Sequence, residues 1–237
     1  MGDELKSNGN LIIKNAAELV TCRGFAAKKG SEMSNLHVIP DGTIVIEDGI
    51  IRSVGRTAEI MRNLDVSHYE VIDALDRAVL PGFVDSHTHF IFGGYRAEEF
   101  SWRLQGMSYM DIMAQGGGIA NTVEATRKAT KEELIDLGKM RLDSMLAFGV
   151  TTVEGKSGYG LDHDTEIKKI VAMGDLDAAH SIDIAIPFLG AHAVPGDYRG
   201  HVDGLIEFLI QQVLPAVAYQ NLAQVFDIFC EIVVFSI

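Results

Sequence analysis

Two histidines separated by one residue, His87-Thr88-His89, close the run Leu80-Pro81-Gly82-Phe83-Val84-Asp85-Ser86. On a strand, successive side chains alternate between faces, so His87 and His89 project from the same face. Two imidazoles so placed can hold one metal ion, provided a further protein ligand and an open position for water are supplied. A lone His-X-His is equally consistent with two polar residues at a strand end.

Two more apolar runs end in chemically useful residues. One closes in Glu154-Gly155-Lys156-Ser157-Gly158-Tyr159-Gly160, the other in Gly190-Ala191-His192-Ala193-Val194-Pro195. In a parallel α/β barrel the carboxyl ends of the strands share one face and build the site, so these segments would meet the histidine pair although distant in sequence. Between His89 and Thr130 lies a connection long for a compact domain, as binding or lid segments often are. It carries Arg96 after Gly93-Gly94-Tyr95, the aromatic Trp102 and Tyr109, and Gly116-Gly117-Gly118, whose bare backbone would allow close approach of a ligand. Gly155-Lys156-Ser157 fails as a phosphate loop because Val150 stands where the first glycine is required. No Gly-X-Ser-X-Gly elbow is present, and Cys22 and Cys230 lack nearby partners, which excludes a disulfide framework and leaves both expected in the core.

The elements that must position these residues follow a change of pattern. Leu11-Ile12-Ile13 opens a strand, and Thr43–Glu47, Asp48-Gly49 and Ile50–Val54 form a hairpin, since Asp-Gly supplies the positive φ angles of a type I′ turn. With a short helical piece over 57–64 and a strand at Val71-Ile72-Asp73, residues 1–77 read as a small β unit. From residue 78 to 237 apolar strands alternate with amphipathic helices. Strand-like runs lie at 79–84, 150–153, 183–189 and 225–229. The helices are one capped by Thr130 and Glu133, one over about 164–179, and one over about 202–214 ending before Pro215. Such alternation means βα units on a parallel sheet, and four are visible.

With 47% apolar residues in 237, the chain can bury a sizeable core. A formal charge of −13 without a Lys/Arg block argues against nucleic acid or an anionic membrane as partner. The first ten residues have no signal-peptide core, no run is expected to reach membrane-span length, and a reduced, cytoplasmic setting fits the two isolated cysteines.

The wording of the motifs is itself informative. Leu80–His89 resembles the first strand of the amidohydrolase superfamily, metal-dependent hydrolases on a distorted TIM barrel with a small β-sandwich. Within it, Phe92–Phe100, Gly116–Ile119, Lys156–Leu161 and Leu189–Pro195 resemble the imidazolonepropionase family. The resemblance covers the chain from Leu11 onward and implies the first half of a TIM-like (β/α)8 barrel, about four βα units, preceded by part of a β-sandwich. It further implies cytoplasmic hydrolysis of 4-imidazolone-5-propanoate to N-formimidoyl-L-glutamate in histidine degradation, with one zinc or iron ion. His87 and His89 match metal ligands, Arg96 the residue that holds the substrate carboxylate, and Tyr159, His192 and Tyr109 substrate contacts. Family members continue past residue 237, so the remaining ligands and the general base are expected beyond Ile237. The isolated chain is expected to be inactive, and a homodimer is the default for the full-length protein. Gly155 departs from the family, where a larger residue is usual, and Lys156 follows the wrong strand to be the superfamily's bridging lysine. Two alternatives remain: an amidohydrolase acting on another cyclic amide or an aminated ring, and a non-catalytic half-barrel that binds a partner.

Overall fold

The computed structural model describes residues 9–230 and 235, apart from the side chains of residues 109, 113 and 114. The chain forms two compact units, Met1–Pro81 and Gly82–Ile237.

The first unit is built on one long strand, β1 (Leu11–Val20), which pairs antiparallel with β2 (Val38–Glu47) and parallel with both β4 (Glu70–Asp73) and β5 (Ala78–Val79). β3 (Ile50–Arg56) completes a single five-stranded sheet. The expected hairpin is present, with Asp48 and Gly49 at φ of 51° and 77° as a type I′ turn requires. A short helix, α1 (Thr57–Ile60), follows β3. Ala16, Leu19 and Ala74 form the centre of the packing, with Ile13, Ile39, Ile44 and Val79 against them.

The expected strand at 79–84 is divided. Ala78–Val79 pair with β1 in the first unit, and a new strand, β6 (Phe83–Thr88), begins the second. Pro81 has no N–H to donate to a sheet ladder, which makes it a natural break. The boundary between units therefore falls after Pro81, four residues beyond the expected 77/78 junction.

Among the described residues, the strands of the second unit pair in parallel only. β6 pairs with β7 (Val150–Gly155), β7 with β8 (Asp183–Ala185), and β9 (Pro187–Ala191) with β10 (Val225–Ile228). Ile186 alone separates β8 from β9, so the strands follow one another in chain order. The connection after His89 is not a bare loop: it contains α2 (Ala97–Leu104), α3 (Tyr109–Ala114) and α4 (Ile119–Lys128). α5 (Lys131–Ala147) carries the complete capping box, Glu133 N–H donating to Thr130 Oγ1 at 3.1 Å and Thr130 N–H to Glu133 Oε2 at 2.8 Å. α6 (His163–Ala179) is capped by Asp162, whose carboxylate accepts from Thr165 N–H at 2.8 Å. Leu134 and Leu142 of α5, Ile170 and Met173 of α6, and Phe90, Ile91, Val153 and Phe188 meet in the core.

The last helical stretch differs from expectation at Pro215. α7 (Val202–Phe208) passes through a π turn at Leu209–Val213 into α8 (Leu214–Tyr219). Pro215 does not end the helix because it sits in the first turn of α8, where its missing N–H is least costly. The resulting 18-residue stretch Val202–Tyr219 is long and apolar enough to cross a membrane by length and composition, contrary to expectation. Its Leu205, Leu209, Val213 and Val217 pack into the core of this unit, while the stretch as a whole is 22% buried. Cys22 and Cys230, expected in the core, are both exposed.

Candidate metal and substrate site

The three polar strand ends meet. His87 lies within β6 and His89 one residue beyond it, with their rings 5.8 Å apart between centroids. The His89 ring stacks on His192, which follows β9, at 4.6 Å and 15°, and lies 4.7 Å from the Tyr159 ring, which follows β7. The end of β10 joins them: Phe229 meets His192 edge-on at 6.0 Å. A cavity of about 450 Å³ opens beside this group, lined by His89, Phe92, Tyr95, Arg96, Ala97, Thr122 and Tyr159. Arg96 therefore shares one hollow with His89 and Tyr159. Tyr109 opens α3, but its side chain is outside the described residues.

Hydrogen bonds fix the imidazoles. His89 Nδ1 is 2.8 Å from the carbonyl of Ser157, and His192 Nδ1 is 2.8 Å from the carbonyl of Gly158. A carbonyl oxygen only accepts, so both Nδ1 atoms carry the proton. In the neutral rings each Nε2 keeps its lone pair, the arrangement a metal-ligating histidine uses. Burial, with the Lys169 ammonium next in importance, pushes the His89 pKa down to about 3, which keeps the ring neutral. Burial also lowers the pKa of His192, against the opposing effect of the Gly158 carbonyl. Two imidazole donors on one side of the strand end suit a metal ion, though a catalytic site normally takes three protein ligands. Among the described residues, no group of three or more His, Cys, Asp or Glu side chains is gathered to hold a metal.

The surroundings contain positioning residues that the sequence did not single out. Arg141 on α5 donates from Nη1 to the carbonyls of Phe90 and Phe92 at 2.7 and 3.0 Å, while its guanidinium lies 3.6 Å from the Phe92 ring centroid. It staples the segment that leaves His89. Glu99 accepts from Gly118 N–H at 2.7 Å and lies 3.6 Å from Arg96 Nη1, joining the glycine segment to the arginine. Gly117 is thus a packing glycine: a Cβ there would stand 2.7 Å from Ile112 Cγ2 and 2.9 Å from its carbonyl oxygen. Lys156 is buried between Glu154 and Asp227, at 2.8 and 2.7 Å. Burial opposes its charge, yet the hydrogen bonds to Asp227 and Glu154 raise its pKa above the ordinary lysine value.

The departure at Gly155 has a steric cause. A Cβ there would lie 2.5 Å from Phe90 Cε1 and 2.8 Å from Met173 Sδ, so those two side chains fill the space a larger residue would need. Glu166 and Lys169 of α6 are 1% and 0% exposed, on the same face as Ile170 and Met173. Glu166 stands four and seven positions before Ile170 and Met173, and Lys169 four before Met173, so the helix turns both charges inward with the apolar face.

Residues 70–128 match the family model described as the amidohydrolase family. The chain is 57% identical over 229 residues to the imidazolonepropionase of Clostridium tetani, covering 97% of this chain and 55% of the relative. It is 53% identical over 230 residues to that of Parabacteroides distasonis, with the same coverage. The chain thus spans about half the length of the curated relatives it matches. Among solved structures it is similar to Escherichia coli guanine deaminase, with a TM-score of 0.58 and 13% identity over 85% of this chain and 42% of that one. It is also similar to the zinc complex of the atrazine chlorohydrolase TrzN from Arthrobacter aurescens, with a TM-score of 0.55 and 14% identity over 95% and 48%. These two likenesses show the amidohydrolase type of α/β fold. Over the residues it contains, the chain belongs with the N-terminal half of the imidazolonepropionases of the amidohydrolase superfamily.

Proposed function

We propose that this chain supplies half of the active site of a hydrolase that opens the lactam C–N bond of 4-imidazolone-5-propanoate, giving N-formimidoyl-L-glutamate. The observation that carries the reading is the gathering of His89, Tyr159 and Arg96 around one cavity, with His192 stacked on His89. The parallel strands β6 to β10 then form the first half of a TIM-like barrel, about four βα units, with their carboxyl ends toward the substrate. His87 and His89 are the protein's donors to a divalent metal, zinc or iron. The metal, when bound, acidifies water and polarises the ring carbonyl.

Arg96 holds the propanoate carboxylate, since a guanidinium can bond both oxygens at once. Its Nη1 faces Glu99 at 3.6 Å, which holds the arginine beside the cavity. Tyr159 and His192 present an aromatic wall and an Nε2 lone pair to the ring, and Tyr109 is a further substrate contact. No general base is assigned among the described residues. The partner is a small molecule, the setting cytoplasmic, and the complete enzyme a homodimer.

Joining this chain to the remaining portion of the Clostridium tetani relative gives the test. The chimera should hydrolyse imidazolonepropionate, and Arg96→Met should raise KM by about 10- to 100-fold, the loss of a charge-assisted pair. Unchanged KM in the variant, or turnover of an aminated ring in place of the imidazolone, would refute the reading.

A further inference from the structure

We propose that Glu166 is a positioning residue that sets the tautomers of His89 and His192 through the backbone of a single loop. Its carboxylate is 1% exposed and accepts from three consecutive-region amides. Gly158 N–H reaches Oε1 and Oε2 at 3.1 and 2.9 Å, Gly160 N–H reaches Oε1 at 2.6 Å, and Leu161 N–H reaches Oε1 at 3.0 Å. Three donors converging on one carboxylate fix the course of residues 157–161.

That loop is the part of the site that faces both imidazoles. The peptide unit joining Ser157 to Gly158 gives its N–H to Glu166 and its carbonyl to His89 Nδ1. One planar group therefore links a buried carboxylate to the ring of a candidate ligand. An anion bonded to the N–H end of a peptide increases the negative charge on its oxygen, which makes the carbonyl a stronger acceptor. The result resembles a carboxylate–histidine pair, with a peptide inserted between the members. The next carbonyl, that of Gly158, takes the Nδ1 proton of His192.

The loop has little freedom to do otherwise. Gly158 has φ of +91°, and a Cβ there would lie 2.7 Å from the Leu189 carbonyl and 2.8 Å from His192 Cβ. Ser157 Oγ accepts from Leu189 N–H at 2.9 Å, and Arg127 Nε donates to the Gly160 carbonyl at 2.7 Å. The remaining variable is the anion. Replacing it by an amide removes one acceptor oxygen and adds N–H groups that face the loop's own donors. The consequence for a metal rests on the function proposed above. The tautomer assignment rests on the hydrogen bonds alone.

The experiment uses the 237-residue chain labelled with 15N-histidine, observed at neutral pH by long-range 1H–15N correlation. Both His89 and His192 should show a protonated Nδ1 and a bare Nε2. In Glu166→Gln, both rings should gain the Nε2–H tautomer together, and exchange of their Nδ1 protons with water should rise at least about tenfold, the loss of one strong hydrogen bond. An Nε2–H tautomer on either ring of the wild type overturns the proposal, as does a folded Glu166→Gln chain with both rings unchanged. Should that variant not fold, the wild type decides through hydrogen exchange. The Nδ1 protons and the Gly158, Gly160 and Leu161 amides should open together, within about tenfold after correction for intrinsic rates, and a larger separation refutes the clamp. Neither readout uses turnover, so the clamp and the proposed reaction can fail independently.

Discussion

Replacing Lys169 by methionine should make the chain more stable, and the size of the gain can be worked out from its surroundings. Lys169 is fully buried, and its ammonium has no hydrogen-bond partner among the described residues; the face of Tyr159 lies over it, with Nζ 5.0 Å from the ring centroid. Burial, partly offset by the charge of Glu166, lowers its pKa from 10.5 to about 8. At about 1.4 kcal/mol per unit, that drop amounts to about 3 kcal/mol of destabilisation while the group is charged. The contact with Tyr159 returns about 1 kcal/mol. Methionine fills similar volume without a charge, so Lys169→Met should gain about 1–3 kcal/mol at pH 7. The sign of the pH dependence follows. Between pH 8 and 10.5 the unfolded chain binds more protons at this position than the folded one, so wild-type stability rises with pH through that window. Below it the penalty is present in full. Urea unfolding followed by Trp102, the single tryptophan, measures both proteins. The advantage of the variant should be largest at neutral pH and shrink toward zero above about pH 10.5. A variant less stable at pH 7, or a difference that does not change with pH, would refute the account of an unpaired buried ammonium.

Two further substitutions test how the frame holds the site. Gly155→Ala should lose about 1–3 kcal/mol of stability in the same urea assay, because its methyl would press into Phe90 and Met173. The double variant Gly155→Ala/Phe90→Leu should recover part of that loss, and strict additivity would show that the two positions do not share the space. Thr130→Ala removes one arm of the α5 capping box and should cost about 1 kcal/mol, read as a fall in midpoint without a change in slope.

Local signals carried most of the fold. Asp48-Gly49 announced the hairpin, Thr130 with Glu133 announced the start of α5, and the alternation after residue 78 announced parallel strands. The readings that failed depended on tertiary context. Whether Pro215 ends a helix turns on the π turn at Leu209–Val213 just before it, which composition does not reveal. The helices between His89 and Thr130 are short and flanked by glycine, so the segment reads as a loop in sequence. Around the site, His89, Tyr159 and His192 were legible because each ends an apolar run on the same edge. Arg141, Glu99 and Glu166 were not, since each works by bonding backbone groups of a distant segment, and a backbone acceptor leaves no mark on the sequence.

The π turn between α7 and α8 also settles a matter of counting. Leu205, Leu209, Val213 and Val217 recur at a constant interval of four, and all four are buried. An α-helix turns about 100° per residue, so three steps of four would carry the last side chain about 120° around the axis from the first, out toward solvent. A π turn spends more residues on each revolution and takes up that drift. The helix keeps one face toward the core because it contains a surplus residue: with one residue of 209–213 deleted, an unbroken α-helix would set Val217 eleven positions after Leu205, about 20° around the axis and still inward. Its apolar stripe is thus a property of chain length as much as of residue type.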